Sequence, residues 1–106
     1  MENSRMEQLT DATYAARLAA TEGGVLIFFK KLCPHCKNME KVMEKFHGLV
    51  PQSTLLALDI EENPASAAAL GVERPPTLII VKGGKACAKK VGLMNPKELL
   101  ALYKSA

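Results

Sequence analysis

The sequence predicts an α/β protein in which helices cover both faces of one mixed sheet. Two observations lead to this prediction. Short apolar runs typical of buried strands alternate with segments whose apolar residues recur at helical spacing, and only a turn separates the last two strand-like runs. The predicted order of elements is therefore β-α-β-α-β-α-β-β-α.

The chain opens with a short strand and a helix. Residues 6–10 form a weak, short strand at most, and Thr10 can cap a helix over residues 11–20. Gly23 and Gly24 are expected to end that helix, because glycine is the residue most often found just past a helix end.

A buried strand and the longest helix follow. Val25 to Phe29 is apolar throughout, as expected of a strand that a parallel sheet buries on both faces. Between residues 33 and 46 a set of side chains recurs at helical spacing and predicts a helix with one core-facing stripe. The stripe consists of Cys36, Met39, Val42, Met43 and Phe46.

The second half of the chain contributes another buried strand, a short helix and a hairpin. Residues 54–59 form the strand, and Asn63 followed by Pro64 opens an alanine-rich helix that stops at Gly71. Residues 77–91 contain two strands around a Lys-Gly-Gly-Lys turn, the pattern of a β-hairpin.

The last helix has a complete start signal. Asn95 is a favourable N-cap, Pro96 occupies the first helical position and Glu98 the third. Together these residues predict a capping box and a helix that runs to about residue 105.

Length and composition predict a single globular domain over residues 1–106. Hydrophobic residues make up 48% of the chain and charged residues 24%, and the three cysteines provide no disulfide framework. The net charge of +3 suggests no nucleic-acid partner. The longest apolar run is too short to span a bilayer, and the first 24 residues contain no apolar core of a secretory signal. We therefore expect a cytoplasmic monomer with no membrane partner.

The most informative motif is Cys33-Pro34-His35-Cys36, at the junction of an apolar strand and a helix. Two thiols three residues apart at a helix start share one face and lie within disulfide reach. The helix end supplies backbone N–H groups and partial positive charge, which stabilise a thiolate over a thiol. Because the thiolate attacks disulfides, the motif predicts thiol–disulfide exchange, with Cys33 as attacking thiol, Cys36 as resolving thiol and the pair as a redox-active disulfide.

Five sequence blocks, in a fixed order, cover nearly the whole chain. They read QLTDATY, VLIFF running into LCPHCK, ALDIEENP, RPPTLIIVKGGK and KVGLMNPKEL. In this order they resemble the thioredoxin family. The resemblance implies a thioredoxin fold, a five-stranded mixed sheet flanked by four helices, that acts as a protein disulfide oxidoreductase without a cofactor. It also implies protein disulfides as substrates and a disulfide reductase as electron donor.

The resemblance implies a substrate-binding groove as well. The groove residues are Leu32, Pro75, Pro76 and Gly92, and Pro76 is expected to follow a cis bond and to face the two cysteines. Pro75 departs from the family pattern, because proline lacks the backbone N–H that this position normally offers to an extended substrate. Leu32 stands where the family usually has tryptophan and removes an aromatic wall. Both departures predict a restricted set of partners.

The residues between the cysteines also depart from the usual Trp-Cys-Gly-Pro-Cys motif of the family. Pro34 and His35 resemble instead the strongly oxidising disulfide oxidase DsbA. A protonated His35 near the helix start adds positive charge beside the Cys33 thiolate, which stabilises the reduced form and raises the redox potential. Lys30, Lys31 and Lys37 are expected to act in the same direction, weakened by solvent screening.

A buried pair that thioredoxins commonly use is replaced. The family often has Asp in the strand before the motif and Lys in the next strand, and together they manage the proton of the second cysteine. Here those positions are Ile27 and Ala57. Cys36 therefore lacks the expected base, and water or a substrate group has to take its proton.

Two other functions remain open from the sequence. A glutaredoxin-like, glutathione-linked reductase is favoured by the proline after Cys33 and the nearby lysines. A metal-binding module could use Cys33, Cys36 and His35, but one chain offers no obvious fourth ligand, so no metal is predicted. Cys87 is expected to be a small core or strand residue.

Overall fold

The polypeptide forms a five-stranded mixed sheet with helices on both faces. The structure, a computed structural model, describes residues 6–106, so residues 1–5 of the predicted domain lie outside the described part. The elements are β1 (Met6–Gln8), α1 (Tyr14–Ala19), β2 (Gly23–Phe29), α2 (Pro34–Leu49), β3 (Thr54–Asp59), α3 (Pro64–Ala69), β4 (Thr77–Lys82), β5 (Lys85–Val91) and α4 (Pro96–Ser105). Their order is the predicted one, and the architecture confirms the thioredoxin fold. Of the helices in the described part, none is long and apolar enough to cross a membrane.

The strands lie in the order β1-β3-β2-β4-β5. β3 pairs in parallel with β1 and β2, whereas β4 pairs antiparallel with β2 and with β5. β2 is therefore the central strand, and its end leads through a four-residue loop, 30–33, into α2. This connection places the start of α2 at the edge of the sheet where β2 and β3 both end.

Side chains of β2 alternate between two core layers, as its predicted burial on both faces requires. Ile27 and its alternate neighbours pack in one cluster with α2 residues such as Met39 and with Leu99 of α4. Phe28 lies in the second cluster, together with Leu18 of α1 and Ala67 of α3. The two cysteines of the motif belong to the first cluster, so they pack against the core between α2 and the sheet.

The first helix begins later than predicted, and its predicted end signal has another role. The backbone carbonyl of Thr10 accepts the N–H groups of Thr13 and Tyr14 at 3.1 and 2.9 Å, which folds residues 11–13 into turns before α1. Gly23 and Gly24 lie in β2 and do not end the helix. A Cβ atom on Gly24 would lie 2.5 Å from the carbonyl oxygen of Thr54, so this glycine permits close approach of β2 and β3.

The start of α3 is capped from a distant part of the chain. Asn63 occupies the predicted N-cap position, but its side chain makes no capping bond. The carboxylate of Asp11 takes that role and accepts the backbone N–H groups of Ser66 at 2.7 Å and Ala65 at 3.3 Å. The hydroxyl of Ser66 also donates to this carboxylate and lowers the pKa of Asp11. The predicted capping box of Asn95 and Glu98, in contrast, is present in α4.

The hairpin of β4 and β5 contains Cys87 at an irregularity. Ala86 pairs with Val81 and Ala88 with Ile80, so Cys87 is the extra residue of a bulge. Its side chain is exposed, and its sulfur lies 3.4 Å from the Lys85 carbonyl oxygen. The prediction that Cys87 is a strand residue is confirmed, but it is not a core residue, because β5 is an edge strand whose residues are exposed except for the half-buried Ala88.

Candidate active site

Cys33 is the N-cap of α2. It has an extended backbone conformation, with φ −113° and ψ 105°, and Pro34 occupies the first helical position, where no backbone N–H is needed. The backbone N–H of Cys36 donates to the Cys33 sulfur at 3.3 Å. The first sulfur of the motif therefore replaces the oxygen of an ordinary capping side chain and lies at the positive end of the helix dipole.

Both cysteines are present as free thiols and are mostly covered by protein. Cys33 is 7% exposed and Cys36 is 2% exposed. The start of α2 is itself exposed at Pro34 and His35, but Cys33 is buried. Because its side chain folds over the first turn to accept the Cys36 N–H, the sulfur packs against the core instead of projecting into solvent.

Burial raises the pKa of the Cys36 thiol to about 12, and its hydrogen bond with the Cys33 sulfur acts in the same direction. A hydrogen bond from the backbone N–H of Lys30 opposes the shift. At neutral pH Cys36 is thus held as a thiol and has to lose a proton before it can act as a nucleophile.

A pocket of about 430 Å³ gives access to both sulfurs. Its wall contains the two cysteines, Phe29, Leu32, Glu40 and four lysines, namely Lys30, Lys31, Lys37 and Lys41. Lys31 forms an ion pair with Glu62 at 2.8 Å, which raises the pKa of Lys31. Lys30, Lys31 and Lys37, which were expected to surround the motif, do line the pocket. Because lysines outnumber acidic residues in its wall, the pocket is electropositive. Residues 6–106 bring together no group of three or more Cys, His, Asp or Glu side chains that could hold a metal ion.

Leu32 has the most unusual conformation at the site. Its φ is 59°, in the left-handed region, and its side chain is 96% exposed. For a branched residue this backbone conformation costs about 1–3 kcal/mol, which the surrounding fold has to offset. The loop before Cys33 therefore presents an apolar side chain to solvent beside the pocket, a feature that the sequence did not reveal.

Pro34 and His35 lie in the exposed first turn of α2. An imidazole at this helix end can add positive charge near Cys33, but solvent screens charges on exposed side chains. The structure thus places both residues where tuning of the dithiol was predicted, and the tuning itself stays a prediction.

The predicted groove residues at β4 and β5 come together. The Pro75–Pro76 bond is cis, as the resemblance implies, and Pro76 is buried whereas Pro75 is half-buried. The N–H of Gly92, a residue with φ 93°, donates to the Pro76 carbonyl oxygen at 2.9 Å. That Pro76 faces the cysteines stays a prediction.

Ile27 and Ala57 are direct neighbours in the sheet. They are paired in the register of β2 and β3, both are fully buried, and both belong to the cluster that contains the two cysteines. The two positions expected to carry a buried acid and base are thus adjacent and entirely apolar.

Sequence reasoning missed Glu40. It lies one helical turn after Cys36, and its side chain lines the same pocket. The Oε2 atom is buried and has no hydrogen-bond partner among the residues that the structure describes. The spacing of four residues from Cys36, on the same helix face, was the signal available in the sequence.

Comparisons with known proteins were consistent with one another. The family model for thioredoxin matches residues 5–105. The chain is 40% identical over 81 residues to a thioredoxin of Chlamydia muridarum, an alignment that covers 76% of this chain and 79% of the relative. It is 36% identical over 97 residues to a thioredoxin of Staphylococcus epidermidis, with 89% of each chain covered.

A solved structure is similar over nearly the full length. The solution structure of reduced desulfothioredoxin from Desulfovibrio vulgaris Hildenborough aligns with a TM-score of 0.86 and 40% identity. The alignment covers 98% of this chain and 100% of that protein.

Proposed function

Since the chain belongs to the thioredoxin family of thiol–disulfide oxidoreductases, we propose that Cys33 attacks protein disulfides and that Cys36 resolves the resulting intermediate. We further propose a redox potential more oxidising than that of an ordinary thioredoxin and a narrower set of partners. A disulfide reductase is the proposed electron donor.

The observation that supports the two roles is the asymmetry of the sulfurs. Cys33 caps the helix and accepts the Cys36 N–H at 3.3 Å, a contact that stabilises negative charge on its sulfur. Cys36 lies deeper and has a pKa raised to about 12, so it is protonated when a substrate first arrives. Cys33 is therefore suited to attack the substrate disulfide, and Cys36 is suited to remain a thiol until the mixed disulfide has formed.

The reaction then has two displacements. The Cys33 thiolate attacks one sulfur of the substrate disulfide, the substrate S–S bond breaks, and the first substrate thiolate leaves with the electron pair. Cys36 loses its proton and attacks Cys33, which releases the second substrate thiolate. The substrate is reduced by two electrons, the chain holds a Cys33–Cys36 disulfide, and the substrate thiolates take up protons.

The more oxidising potential is supported by the charges at the site. The helix end and Lys30, Lys37 and Lys41 give the pocket positive charge, while Lys31 is paired with Glu62, and His35 lies in the first turn. Each favours the dithiol form, in which Cys33 can carry negative charge, over the neutral disulfide. The narrower partner set is supported by Pro75, which lacks a backbone donor, and by Leu32, which offers an exposed aliphatic group where the family usually offers an aromatic ring.

Trapping the intermediate tests the assignment of roles. Cys36→Ser should accumulate a mixed disulfide between Cys33 and a substrate protein, whereas Cys33→Ser should lose disulfide reduction altogether. Both variants are made in a Cys87→Ala background, because the exposed Cys87 thiol could form adducts of its own. Mass spectrometry of the peptides locates the adduct. An adduct on Cys36 in the Cys33→Ser variant would reverse the assignment.

The equilibrium potential tests the second part of the proposal. Measured against glutathione, the redox potential should lie above about −270 mV, the value typical of thioredoxin. A value at or below that potential would contradict it.

A further inference from the structure

The resolving step needs a proton acceptor at Cys36, and the two strand positions at which the family commonly has a buried acid and base do not supply one. Burial raises the pKa of the Cys36 thiol above its ordinary range, so the thiol has to lose a proton before it can attack. Ile27 and Ala57, on the strands beneath the motif, are fully buried and apolar. This question rests on the proposed function, in which Cys36 is the resolving thiol.

Glu40 is placed where such an acceptor has to be. It follows Cys36 by four residues on α2, so the two side chains share a helix face, and both line the pocket of about 430 Å³. Its Oε2 atom is buried and, within the described part of the chain, has no hydrogen-bond partner. Buried carboxylate oxygens are normally paired, so an oxygen left open toward a reactive pocket calls for an explanation.

We propose that the Glu40 carboxylate accepts the proton of the Cys36 thiol, directly or through one water molecule in the pocket, during resolution of the mixed disulfide. The Cys36 S–H bond breaks and its proton passes to Glu40. The Cys36 thiolate then attacks the Cys33 sulfur, the bond from Cys33 to the substrate breaks, and the substrate thiolate leaves with the electron pair. Glu40 returns the proton to the departing thiolate or to water. In this step Glu40 takes the place of the acid that is missing at Ile27.

Other charged groups also face this region. They are Lys30, Lys31, Lys37 and Lys41 around the pocket, His35 in the first turn of α2, and Asp59 at the end of β3, whose carboxylate accepts the N–H groups of Glu61 and Glu62. Glu40→Gln keeps all of them and is isosteric, so a difference between this variant and its parent reports on the Glu40 carboxylate.

Stopped-flow reaction of the reduced protein with the aromatic disulfide DTNB separates attack from resolution. Attack by Cys33 releases one coloured thiolate in a phase whose rate depends on DTNB concentration. Attack by Cys36 on the mixed disulfide releases the second in a phase that does not depend on it. The parent carries Cys87→Ala, because the exposed third thiol would contribute a signal of its own.

Glu40→Gln should slow the second phase at least tenfold at pH 7 and leave the first phase within twofold of the parent. The second-phase rate of the variant should rise about tenfold per pH unit between pH 6 and pH 9, because solvent then has to remove the proton, whereas the parent should have a shallower profile. Glu40→Asp keeps a carboxylate but places it farther from Cys36. Its second-phase rate should lie between the rates of Glu40→Gln and the parent.

Glu44→Gln is the matched control, since it removes the same charge from α2 two turns beyond Cys36 and outside the pocket wall. Both phases of this variant should stay within twofold of the parent. A second phase of Glu40→Gln within twofold of the parent, with an unchanged pH profile, would overturn the role of Glu40. Failure of the proposed function is distinguishable, because the parent itself would then lack the first phase or the second released thiolate.

Discussion

Replacing Pro75 by isoleucine or alanine tests whether a missing backbone donor restricts the proteins that this chain can reduce. Neighbouring backbone groups are already engaged within the chain: the Pro76 carbonyl accepts the Gly92 N–H at 2.9 Å, and the Arg74 carbonyl accepts the Thr77 hydroxyl at 2.6 Å. Pro75 is half-buried at the edge of this segment. Either replacement gives residue 75 an N–H that an extended substrate segment can use.

The expected gain is that of one neutral hydrogen bond, about 0.5–1.5 kcal/mol, which corresponds to an increase in kcat/KM of about 2- to 13-fold. Proline restricts the unfolded chain, so either replacement raises the conformational entropy of the unfolded state. The free energy of unfolding should therefore fall by about 0.4–1 kcal/mol. Urea denaturation measures that cost separately and verifies that each variant is folded.

The assay is reduction of insulin disulfides with NADPH and a general-purpose thioredoxin reductase, repeated with dithiothreitol as the reductant. A gain in both formats indicates better docking of insulin, and a gain with reductase alone indicates better docking of the reductase. Folded Pro75→Ile and Pro75→Ala variants whose kcat/KM equals that of the wild type in both formats would refute the reasoning. A gain with isoleucine alone would also refute it, since a side-chain contact and not the N–H would then be responsible.

Three further perturbations test other parts of the structure. His35→Pro removes the imidazole from the first turn of α2 and should lower the potential measured against glutathione by about 30 mV, equivalent to about 1.4 kcal/mol; an unchanged potential would contradict the tuning role. Cys87→Ala should leave the rate of disulfide reduction unchanged, because the side chain lies exposed in a bulge of β5; a large loss would show that this thiol takes part. The lowered pKa of Asp11 means that its contribution to stability is present above the unfolded-state value of about 3.8 and is lost as pH falls below it. Urea unfolding at pH 5 and pH 3 should therefore show a smaller loss of stability for Asp11→Ala than for the wild type, and equal losses would argue against the cap.

The order of elements and the position of the Cys-Pro-His-Cys motif at a helix start were readable from the sequence. Burial of Val25 to Phe29 on both faces, the stripe that includes Met39 and Phe46, and the capping box of α4 all depend on residues close to one another in the chain. Local patterns of this kind report the environment of an element directly, because a strand or helix positions its own side chains at a fixed period. The same locality made the placement of Cys33 at a helix start predictable.

Features that join distant segments were decided only by the tertiary structure. Asp11 caps α3 across 55 residues of chain, and Gly24 is required by the approach of Thr54 from the neighbouring strand. Neither role could be assigned from adjacent residues, because the partner atom arrives only when β2, β3 and the helices pack.

The same distinction between local patterns and contacts of distant segments applies to the active site. The sequence by itself predicted which two sulfurs react, placed them at the start of a helix and showed Ile27 and Ala57 where the family commonly has a buried acid and base. Only the folded chain decided how far the sulfurs are covered and left a Glu40 oxygen buried without a partner in the described part of the chain. The physical reason is that motif spacing follows from covalent geometry, whereas burial, pKa and unpaired polar atoms depend on how the whole surrounding shell excludes water.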